Sequence, residues 1–316
     1  MNTPTQPPVI DLTDVTKRYK ETMAVDGVTL RIDGGKIYGL LGRNGAGKTT
    51  LMSILTAQDP ESSGDVRVFG QHPYENDAVL SRMCFIRESQ KYPEDFTPAQ
   101  AFKAAGLFFR NWDQDFADRL AEEFTLPLKR RIKKLSRGQL SAVGVIIGLA
   151  ARAELTFFDE PYLGLDAVAR QIFYDRLVQD YSRHPRTIVL SSHLIDEVAN
   201  LLEHVLLIDH GRIILDDDAE NIRGSAATVT GEETKVAEFT AGRKVLHRER
   251  LGSLASVTVE ARLGSADRAR AADLGLELSP VSLQQLVVRK TMTAAAGSAA
   301  VESHAATDPS EMEVAP

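Results

Sequence analysis

One short segment restricts the fold of this chain more than any other, the run GRNGAGKTT at residues 42–50. It matches the phosphate-binding pattern G-x-x-x-x-G-K-[ST], and it lies between the apolar strand candidate Ile37–Leu41 and a predicted helix, as that pattern requires. Glycines let successive backbone N–H groups turn toward phosphate oxygens, and the N-terminus of the helix adds partial positive charge. We therefore predict a nucleotide-binding α/β fold rather than a plain glycine-rich turn. The residues expected to contact the nucleotide here are Gly42, Asn44, Gly45, Ala46, Gly47, Lys48, Thr49 and Thr50.

Two carboxylates, Asp159 and Glu160, directly follow the apolar strand candidate Leu155–Phe158. A strand buried on both faces of a parallel sheet must be apolar, and its carboxyl end meets the ligand crevice of a doubly wound sheet. Asp159 is then expected to hold Mg²⁺ together with the Thr49 hydroxyl. Glu160 would orient and deprotonate an attacking water, while Lys48 reaches the β- and γ-phosphates. Taken alone, the two carboxylates could equally be polar turn residues before a proline, and the phosphate-binding loop favours the catalytic interpretation.

Composition excludes several classes of protein. The longest apolar run, Val143–Ala151, is about half of what a membrane-spanning helix needs, and residues 1–8 carry no signal-peptide pattern. Cys84 is the only cysteine among 316 residues, which excludes an intramolecular disulfide and a CxxC metal site. A net charge of −7 disfavours a free-standing nucleic-acid binder, and we interpret the basic cluster at 129–134 as a solvated helix end or loop. We expect the protein to stay in the compartment where it is made, so that any membrane role requires a partner.

The order of predicted strands and helices along the chain divides it into segments. Strand and helix candidates alternate through most of it, but residues 91–152 are rich in predicted helices and poor in strands. We therefore predict an α/β fold, a P-loop NTPase core of the RecA-like type with an inserted helical subdomain, followed by a small C-terminal accessory α+β domain. The expected segments are a flexible leader at 1–8, a nucleotide-binding domain at 9–224 with its helical subdomain at about 91–152, the accessory domain at 225–290 and a disordered tail at 291–316.

Further motifs narrow the family. The run LSRGQ at residues 135–139 opens the third predicted helix of the inserted subdomain and resembles the LSGGQ signature of ABC ATPases. His193, in the run SSH, resembles the switch histidine of that family, and the run GLD at residues 164–166 resembles its D-loop. Tyr19 stands where an aromatic residue stacks on adenine in the family. The resemblance covers the whole predicted nucleotide-binding domain, with the motifs in the family's order.

Each of these motifs also has a purely structural interpretation. Tyr19 could be a half-buried strand residue, His193 a helix-start residue, and Ser136 the N-cap of a helix. Their combination in the right order favours the functional interpretation of each.

The resemblance implies a site shared between two subunits. ATPases of this family face each other head to tail, so that each ATP lies between one P-loop and the signature segment of the partner. Ser136, Gly138 and Gln139 would then contact the nucleotide of the opposite subunit, helped by the N-terminus of their helix. The other implied site residues are Tyr19 and Asp166 for nucleotide binding and His193 for catalysis.

The resemblance also implies partners and a location. The chain would be the ATP-hydrolysing subunit of an ABC transporter, with ATP and Mg²⁺ as its cofactors. Its partners would be a second ATPase subunit, in a homo- or heterodimer, and integral membrane permease subunits that select the substrate. It would lie at the cytoplasmic face of the membrane, and one nucleotide domain followed by an accessory domain resembles the exporter group. No nucleic-acid partner is expected.

Two positions depart from the family's pattern. Arg137 replaces the usual glycine at the third position of the signature, which puts a long cation near the phosphates or toward the permease. The Q-loop is irregular as well, because the aligned glutamine position holds Glu88 and Gln90 follows two residues later. Gln90 is taken here as the contact to the nucleotide and to Mg²⁺, with Glu88 as the alternative.

Two other functions are compatible with the motifs. A soluble ABC ATPase acting on ribosomes or DNA typically carries two nucleotide domains or a long inserted coiled coil, whereas this chain shows one nucleotide domain and a short helical insert. A non-hydrolysing regulatory adaptor is the third hypothesis, and the presence of Glu160 and His193 favours hydrolysis instead. Transport is therefore the first hypothesis, and the transported substrate is a property of the permease.

Overall fold

A computed structural model describes residues 7–88, 90–288 and 291 of the chain. It divides the chain into two compact units between Asp217 and Asp218, and each unit is described by itself. Most of the predicted leader at 1–8 and nearly all of the predicted tail at 291–316 lie outside the described residues. In the part of the chain that the structure describes, no helix is both long enough and apolar enough to cross a membrane.

Two β-sheets form the framework of the first unit. Their strands are β1 (Ile10–Tyr19), β2 (Thr22–Ile32), β3 (Ile37–Leu41), β4 (Ser63–Val68), β5 (Met83–Arg87), β6 (Leu155–Asp159), β7 (Thr187–Ser192), β8 (His204–Asp209) and β9 (Arg212–Asp218). One sheet has the order β5-β6-β7-β3-β8-β9, and its strands from β5 to β8 pair in parallel. The other is antiparallel, with the order β2-β1-β4. Strands β3, β6 and β7 are buried at every position, as a parallel sheet covered on both faces requires.

Helices alternate with the strands of the first unit. They are α1 (Lys48–Leu55), α2 (Asp77–Leu80), α3 (Pro98–Phe108), α4 (Gln114–Glu123), α5 (Arg137–Ala150), α6 (Ala167–Arg183) and α7 (Ile195–Val198). Leu51, Met52 and Leu55 of α1 join one apolar cluster with the inner faces of both sheets. Burial of each such side chain stabilises the fold by about 1.5–3 kcal/mol, so the helix that carries the phosphate-binding loop is firmly anchored.

The inserted helical subdomain consists of α3, α4 and α5. Helices α3 and α5 both begin with a capping box, formed by Thr97 with Gln100 and by Ser136 with Gln139. Along α5 the residues from Ala142 to Ala150 are all buried, against β5, β6 and the neighbouring helices. The burial of this part holds α5 in place, while the helix begins at the exposed residues Ser136 and Arg137.

The second unit is a small α+β fold. Its elements are α8 (Ala219–Arg223), β10 (Ala227–Glu232), α9 (Glu233–Thr240), β11 (Lys244–Leu251), β12 (Leu254–Glu260), α10 (Ser265–Asp273) and β13 (Glu277–Pro280), followed by helical residues at 283–288. The sheet order β11-β12-β10-β13 and the β-α-β-β-α-β sequence are those of a ferredoxin-like split βαβ fold. Phe239 of α9 and Ala271 of α10 pack with Val257 of β12 in its core. Both helices therefore cover one face of the sheet.

Candidate active site

The phosphate-binding loop connects the buried strand β3 to the start of α1. Gly47 has a φ of 111°, a left-handed conformation, and a Cβ added to it would lie 2.4 Å from the carbonyl oxygen of Ala24. Only glycine therefore allows the chain to enter α1 at this point. The helix begins at Lys48 without a side-chain cap, which leaves the backbone N–H groups of its first turn available to a ligand.

Lys48 lies inside this loop and is buried. Its Nζ donates to the carbonyl oxygens of Gly42, at 2.8 Å, and Arg43, at 3.2 Å. The same atom lies 3.5 Å from Oε1 of Glu160. A buried ammonium group needs partners of this kind, and the loop thus holds one cation next to the acidic end of β6.

Both carboxylate oxygens of the buried Asp159 accept a hydrogen bond. Thr49 Oγ1 donates to Oδ2 and Ser191 Oγ donates to Oδ1, each at 2.7 Å. Ser191 in turn accepts a hydrogen bond from the backbone N–H of Glu160, at 3.0 Å. Ser191 is not among the predicted site residues. The two serines that end β7, the strand beside β6, are the sequence feature that could have indicated it. Three neighbouring elements, α1, β6 and β7, therefore meet at Asp159.

Glu160 occupies an uncommon backbone position. Its φ is 51°, in the left-handed region that non-glycine residues seldom adopt, and strain of this kind persists where the surroundings hold a functional residue in place. Its side chain is buried, with Oε2 at 2.6 Å from Nδ1 of His193 and Oε1 facing Lys48. The carboxylate therefore lies between two groups that can carry positive charge.

A buried tyrosine that the sequence did not indicate completes this cluster. The hydroxyl of Tyr162 donates to the carboxylate of Glu160 and lies 3.1 Å from Nδ1 of His193. Burial, and after it the hydrogen bond to Glu160, raises the pKa of Tyr162 far above its ordinary value, so the hydroxyl keeps its proton. Tyr162 lies in a turn, and its partners from β7 onward are distant in sequence, so no local pattern points to it.

A cleft of about 610 Å³ opens over these groups. The predicted residues that line it are Asn44, Gly45, Gly47, Lys48, Thr49, Thr50, Glu160 and His193. From the irregular Q-loop, Glu88 lines the cleft and Gln90 does not. Gln90 lies in the turn after β5, where its backbone N–H donates to the carbonyl of Arg87 at 3.2 Å. Among the described residues the structure thus brings Glu88, rather than Gln90, to the cleft.

Tyr19 stands at the end of β1 and is 43% exposed. Its hydroxyl donates to the carboxylate of Asp59, and the Nζ of Lys17 lies 5.0 Å from the centre of its ring. Burial first, and then the contact with Asp59, raises the pKa of Tyr19, while the neighbouring Thr50 side chain opposes this shift. The ring is therefore held in place beside α1 with a large part of its surface exposed.

The predicted signature residues Ser136, Gly138 and Gln139 do not line this cleft. Ser136 is exposed, and its side chain accepts a hydrogen bond from the backbone N–H of Gln139, whose side chain accepts one from Ser136 in return. The guanidinium group of Arg137 pairs with the carboxylate of Glu88. The two departures from the family pattern therefore contact each other.

The start of α5 touches the loop that follows Glu160. A Cβ added to Gly138 would lie 2.6 Å from the carbonyl oxygen of Gly164, and Ser141 Oγ donates to the carbonyl of Leu163 at 2.7 Å. Asp166, predicted to contact the nucleotide, caps α6 by accepting from the backbone N–H of Ala169 at 2.8 Å. The signature segment and the D-loop thus form one continuous surface outside the cleft of their own chain.

Known proteins resemble this chain in sequence and in fold. Residues 25–163 match the family described as ABC transporter. The bacitracin transport ATP-binding protein BcrA of Bacillus licheniformis is 30% identical over 210 residues, covering 65% of this chain and 68% of that protein. The daunorubicin/doxorubicin resistance ATP-binding protein DrrA of Streptomyces peucetius is 31% identical over 232 residues, covering 71% of this chain and 69% of that protein.

A solved structure has the same fold as the first unit. It is the ATP-binding cassette MJ0796, solved as a dimer in a post-hydrolysis state bound to ADP and Pi. The two structures agree with a TM-score of 0.59 at 20% sequence identity, over 66% of this chain and 98% of the cassette. The predicted fold class is therefore confirmed.

Proposed function

Because this chain belongs to the ABC transporter family and is the ATP-binding, ATP-hydrolysing subunit of such a transporter, we propose that its cleft holds ATP with Mg²⁺ and that a second subunit completes the site. One observation carries this proposal. Thr49 of the phosphate-binding loop is hydrogen-bonded to Asp159, and the two buried carboxylates of Asp159 and Glu160 lie directly beside that loop. Preorganised polar groups of this kind stabilise charge that develops during a reaction.

Binding of ATP begins at the loop. Lys48 exchanges the carbonyl oxygens of Gly42 and Arg43 for oxygens of the β- and γ-phosphates, and the free N–H groups at the start of α1 supply further donors. Tyr19 stacks on the adenine ring, a role supported by its exposed ring and by the contact that Asp59 makes with its hydroxyl.

The residues present fit a magnesium ion. Mg²⁺ prefers oxygen ligands, and in nucleotide sites it uses one or two protein oxygens together with phosphate oxygens and water. Thr49 Oγ1 and Asp159 Oδ2, 2.7 Å apart, offer such a pair of oxygens. When bound, the ion neutralises charge on the phosphates. Ser191 holds Asp159 for this role through its other carboxylate oxygen.

Glu160 is the general base in this proposal. It accepts a proton from the water whose oxygen forms a bond to the γ-phosphorus, while the bond from that phosphorus to the bridging oxygen of ADP breaks. Lys48 stabilises the negative charge on the phosphates, and His193 orients the carboxylate from 2.6 Å. The left-handed backbone of Glu160 directs its side chain into the cleft.

A second subunit supplies the signature segment. Ser136 and Arg137 at the start of α5 are exposed and do not line the cleft of their own chain, which supports a role at the nucleotide of a partner. The exposed N-terminus of a helix is suited to bind phosphate. We assign Ser136, Gly138 and Gln139, with Asp166 of the adjoining surface, to this interface in a homo- or heterodimer.

The dimer acts beneath integral membrane permease subunits, at the cytoplasmic face, and drives export. The name of BcrA refers to transport of bacitracin and that of DrrA to resistance to daunorubicin and doxorubicin. Export of a compound is the simplest way in which a transporter ATPase confers resistance. These relatives also disfavour the alternative of a soluble ATPase acting on ribosomes or DNA.

The test is purification of a tagged Glu160→Gln chain from membranes solubilised in the presence of ATP and Mg²⁺. This variant retains the binding groups but lacks the base, so the ATP-bound assembly should accumulate. We expect a polytopic membrane protein to co-purify in a fixed ratio, and its own sequence would then indicate the substrate.

Two controls sharpen this experiment. The tagged Lys48→Ala chain, which lacks the phosphate-binding cation, shows which proteins associate without bound nucleotide. Recovery of ribosomal or DNA-repair proteins in place of a permease would contradict the transport function and leave the ATP chemistry intact.

A further inference from the structure

The hydroxyl of Tyr162 is the meeting point of two loops that carry the proposed catalytic groups. Tyr162 lies in the turn after β6, two residues beyond Glu160, and its side chain is 2% exposed. The hydroxyl contacts Glu160 from its own loop and Ser192 and His193 from the end of β7. The ring packs edge-on against the imidazole, with ring centres 5.7 Å apart.

The hydrogen-bonding capacity of this hydroxyl is fully used. A phenol has one proton to donate and two lone pairs that accept. The proton goes to the carboxylate of Glu160, since the other two partners donate: the backbone N–H of His193 at 3.0 Å and the Ser192 hydroxyl at 3.2 Å. Ser192 also accepts from the backbone N–H of Leu194 at 2.9 Å, which orients its own hydroxyl.

The contact with Glu160 also determines which ring nitrogen of His193 carries a hydrogen. Its Nδ1 lies 2.6 Å from the carboxylate of Glu160, which only accepts, so Nδ1 carries a hydrogen. A protonated Nδ1 cannot accept a hydrogen bond from the Tyr162 hydroxyl. The proton of Tyr162 therefore goes to the carboxylate oxygen that Nδ1 also contacts. The opposite nitrogen, Nε2, is thereby turned away from this cluster, and His193 lines the cleft.

We propose that Tyr162 is a positioning residue for ATP hydrolysis, which holds the carboxylate of Glu160 and the backbone of His193 in a fixed relation through its hydroxyl. Tyr162 does not line the cleft, whereas Glu160 and His193 do, so it acts through them and not on the nucleotide. The inference rests on the proposed role of Glu160 as the base. Misplacement of a reacting group by about 1 Å can cost up to about a hundredfold in rate, so the loss of one such tether is measurable.

The test is Tyr162→Phe, which keeps the packed ring and removes only the hydroxyl. We expect kcat of the Mg²⁺-dependent ATPase to fall by about tenfold, while KM for ATP changes by less than about threefold because the phosphate-binding loop is intact. In a Glu160→Gln background, measured by single-turnover hydrolysis, the same substitution should reduce the remaining rate by less than about twofold. A merely structural effect would reduce both rates equally.

Tyr92→Phe is the matched control. The Tyr92 hydroxyl is also buried, but it has no hydrogen-bond partner among the described residues, so its removal should leave kcat unchanged. Thermal unfolding of all variants distinguishes a misfolded chain from a folded chain in which Glu160 and His193 are misplaced. If Tyr162→Phe does not fold, Ser192→Ala decides the matter, because it removes one donor to the phenol and should lower kcat by about threefold.

The outcomes separate this inference from the proposed function. A folded Tyr162→Phe chain with the parent kcat, an equal loss in both backgrounds, or a Ser192→Ala chain of parent activity when Tyr162→Phe is unfolded would each overturn the role of Tyr162. A Glu160→Gln chain that retains the parent kcat would instead overturn the proposed base, and the inference with it.

Discussion

The two halves of the proposed ATP site differ in how far one chain completes them. On the phosphate side, Lys48, Asp159 and Glu160 are buried, and their polar atoms already have partners. On the signature side, Ser136 and Arg137 are exposed, and Ser136 is used only as the cap of α5. The first half is assembled by folding alone.

Control of the proposed reaction can therefore reside in the exposed half. A buried polar network must satisfy its own groups, because an unpaired buried donor or acceptor costs about 1–3 kcal/mol. An exposed helix N-terminus carries no such requirement, since water satisfies its N–H groups until a ligand arrives. In the proposed dimer the catalytic half is therefore preformed in each chain, whereas the signature half would act only when a second subunit brings it to the nucleotide.

The largest effect is expected from Glu160→Gln, which removes the proposed base from the buried half. We predict a loss of about 10²–10⁴-fold in kcat, with ATP binding retained because the loop is unchanged. Steady-state ATPase assays and nucleotide-binding titrations check this. Glu154→Gln is the matched control, since Glu154 precedes the same strand at its opposite end and forms an exposed ion pair with Arg82. Equal losses in the two variants would contradict the assignment.

A smaller effect is expected from Ser136→Ala, which changes the exposed half. Removal of the cap should lower the free energy of unfolding by about 1 kcal/mol, and loss of a phosphate contact should lower kcat by about tenfold to a hundredfold. Thr97→Ala removes the equivalent cap of α3, and Thr97 does not line the cleft. It should lose the same stability with unchanged ATPase activity, as measured by thermal melts and kinetics. If both variants lose activity, capping alone explains the result.

The pair of Arg137 and Glu88 should have a smaller effect still. Glu88 lines the cleft, and its negative charge near the phosphates is offset by the guanidinium of Arg137. We predict that Arg137→Gln raises KM for ATP by about two- to fivefold at low ionic strength, because Glu88 is left uncompensated. Adding Glu88→Gln should restore the parent KM. A KM that is insensitive to salt and to the second substitution would exclude this charge balance.

The smallest expected effect concerns Cys84, which lies buried in β5. Burial raises the pKa of its thiol from 9.0 to about 12, so the folded chain keeps the unreactive protonated form at every pH below that value. We therefore predict negligible labelling by a disulfide reagent at pH 8 and rapid labelling after unfolding, where the ordinary pKa returns. Rapid labelling of the native chain would contradict the burial of this strand.

The residues of the buried half could be predicted from sequence much better than Ser191 and Tyr162, which hold them in place. The loop at 42–50 and the two carboxylates at the end of β6 are local patterns, and the structure joins them through the hydrogen bond between Thr49 and Asp159. Ser191 and Tyr162 could not be assigned in this way, because their contacts depend on which strands become neighbours. Sequence order alone does not state that β7 lies beside β6.

The remaining differences also arise from tertiary contacts. Residue type favours Gln90 as the Q-loop contact to the nucleotide, but the turn after β5 brings Glu88 to the cleft instead. In the second unit, the sequence predicts an α+β fold but not the strand order β11-β12-β10-β13, because pairing rather than propensity determines it.

The central claim is that the signature segment of another subunit completes the ATP site, and a single cysteine at the cap of α5 tests it most directly. Since the buried thiol of Cys84 is expected not to react, the Ser136→Cys, Glu160→Gln chain should carry one reactive thiol, at the exposed cap position of α5. We predict that Mg²⁺ and ATP slow its labelling by at least about tenfold, increasingly so at higher protein concentration. Protection that is independent of protein concentration, or no protection at a concentration where the parent chain hydrolyses ATP, would contradict the claim.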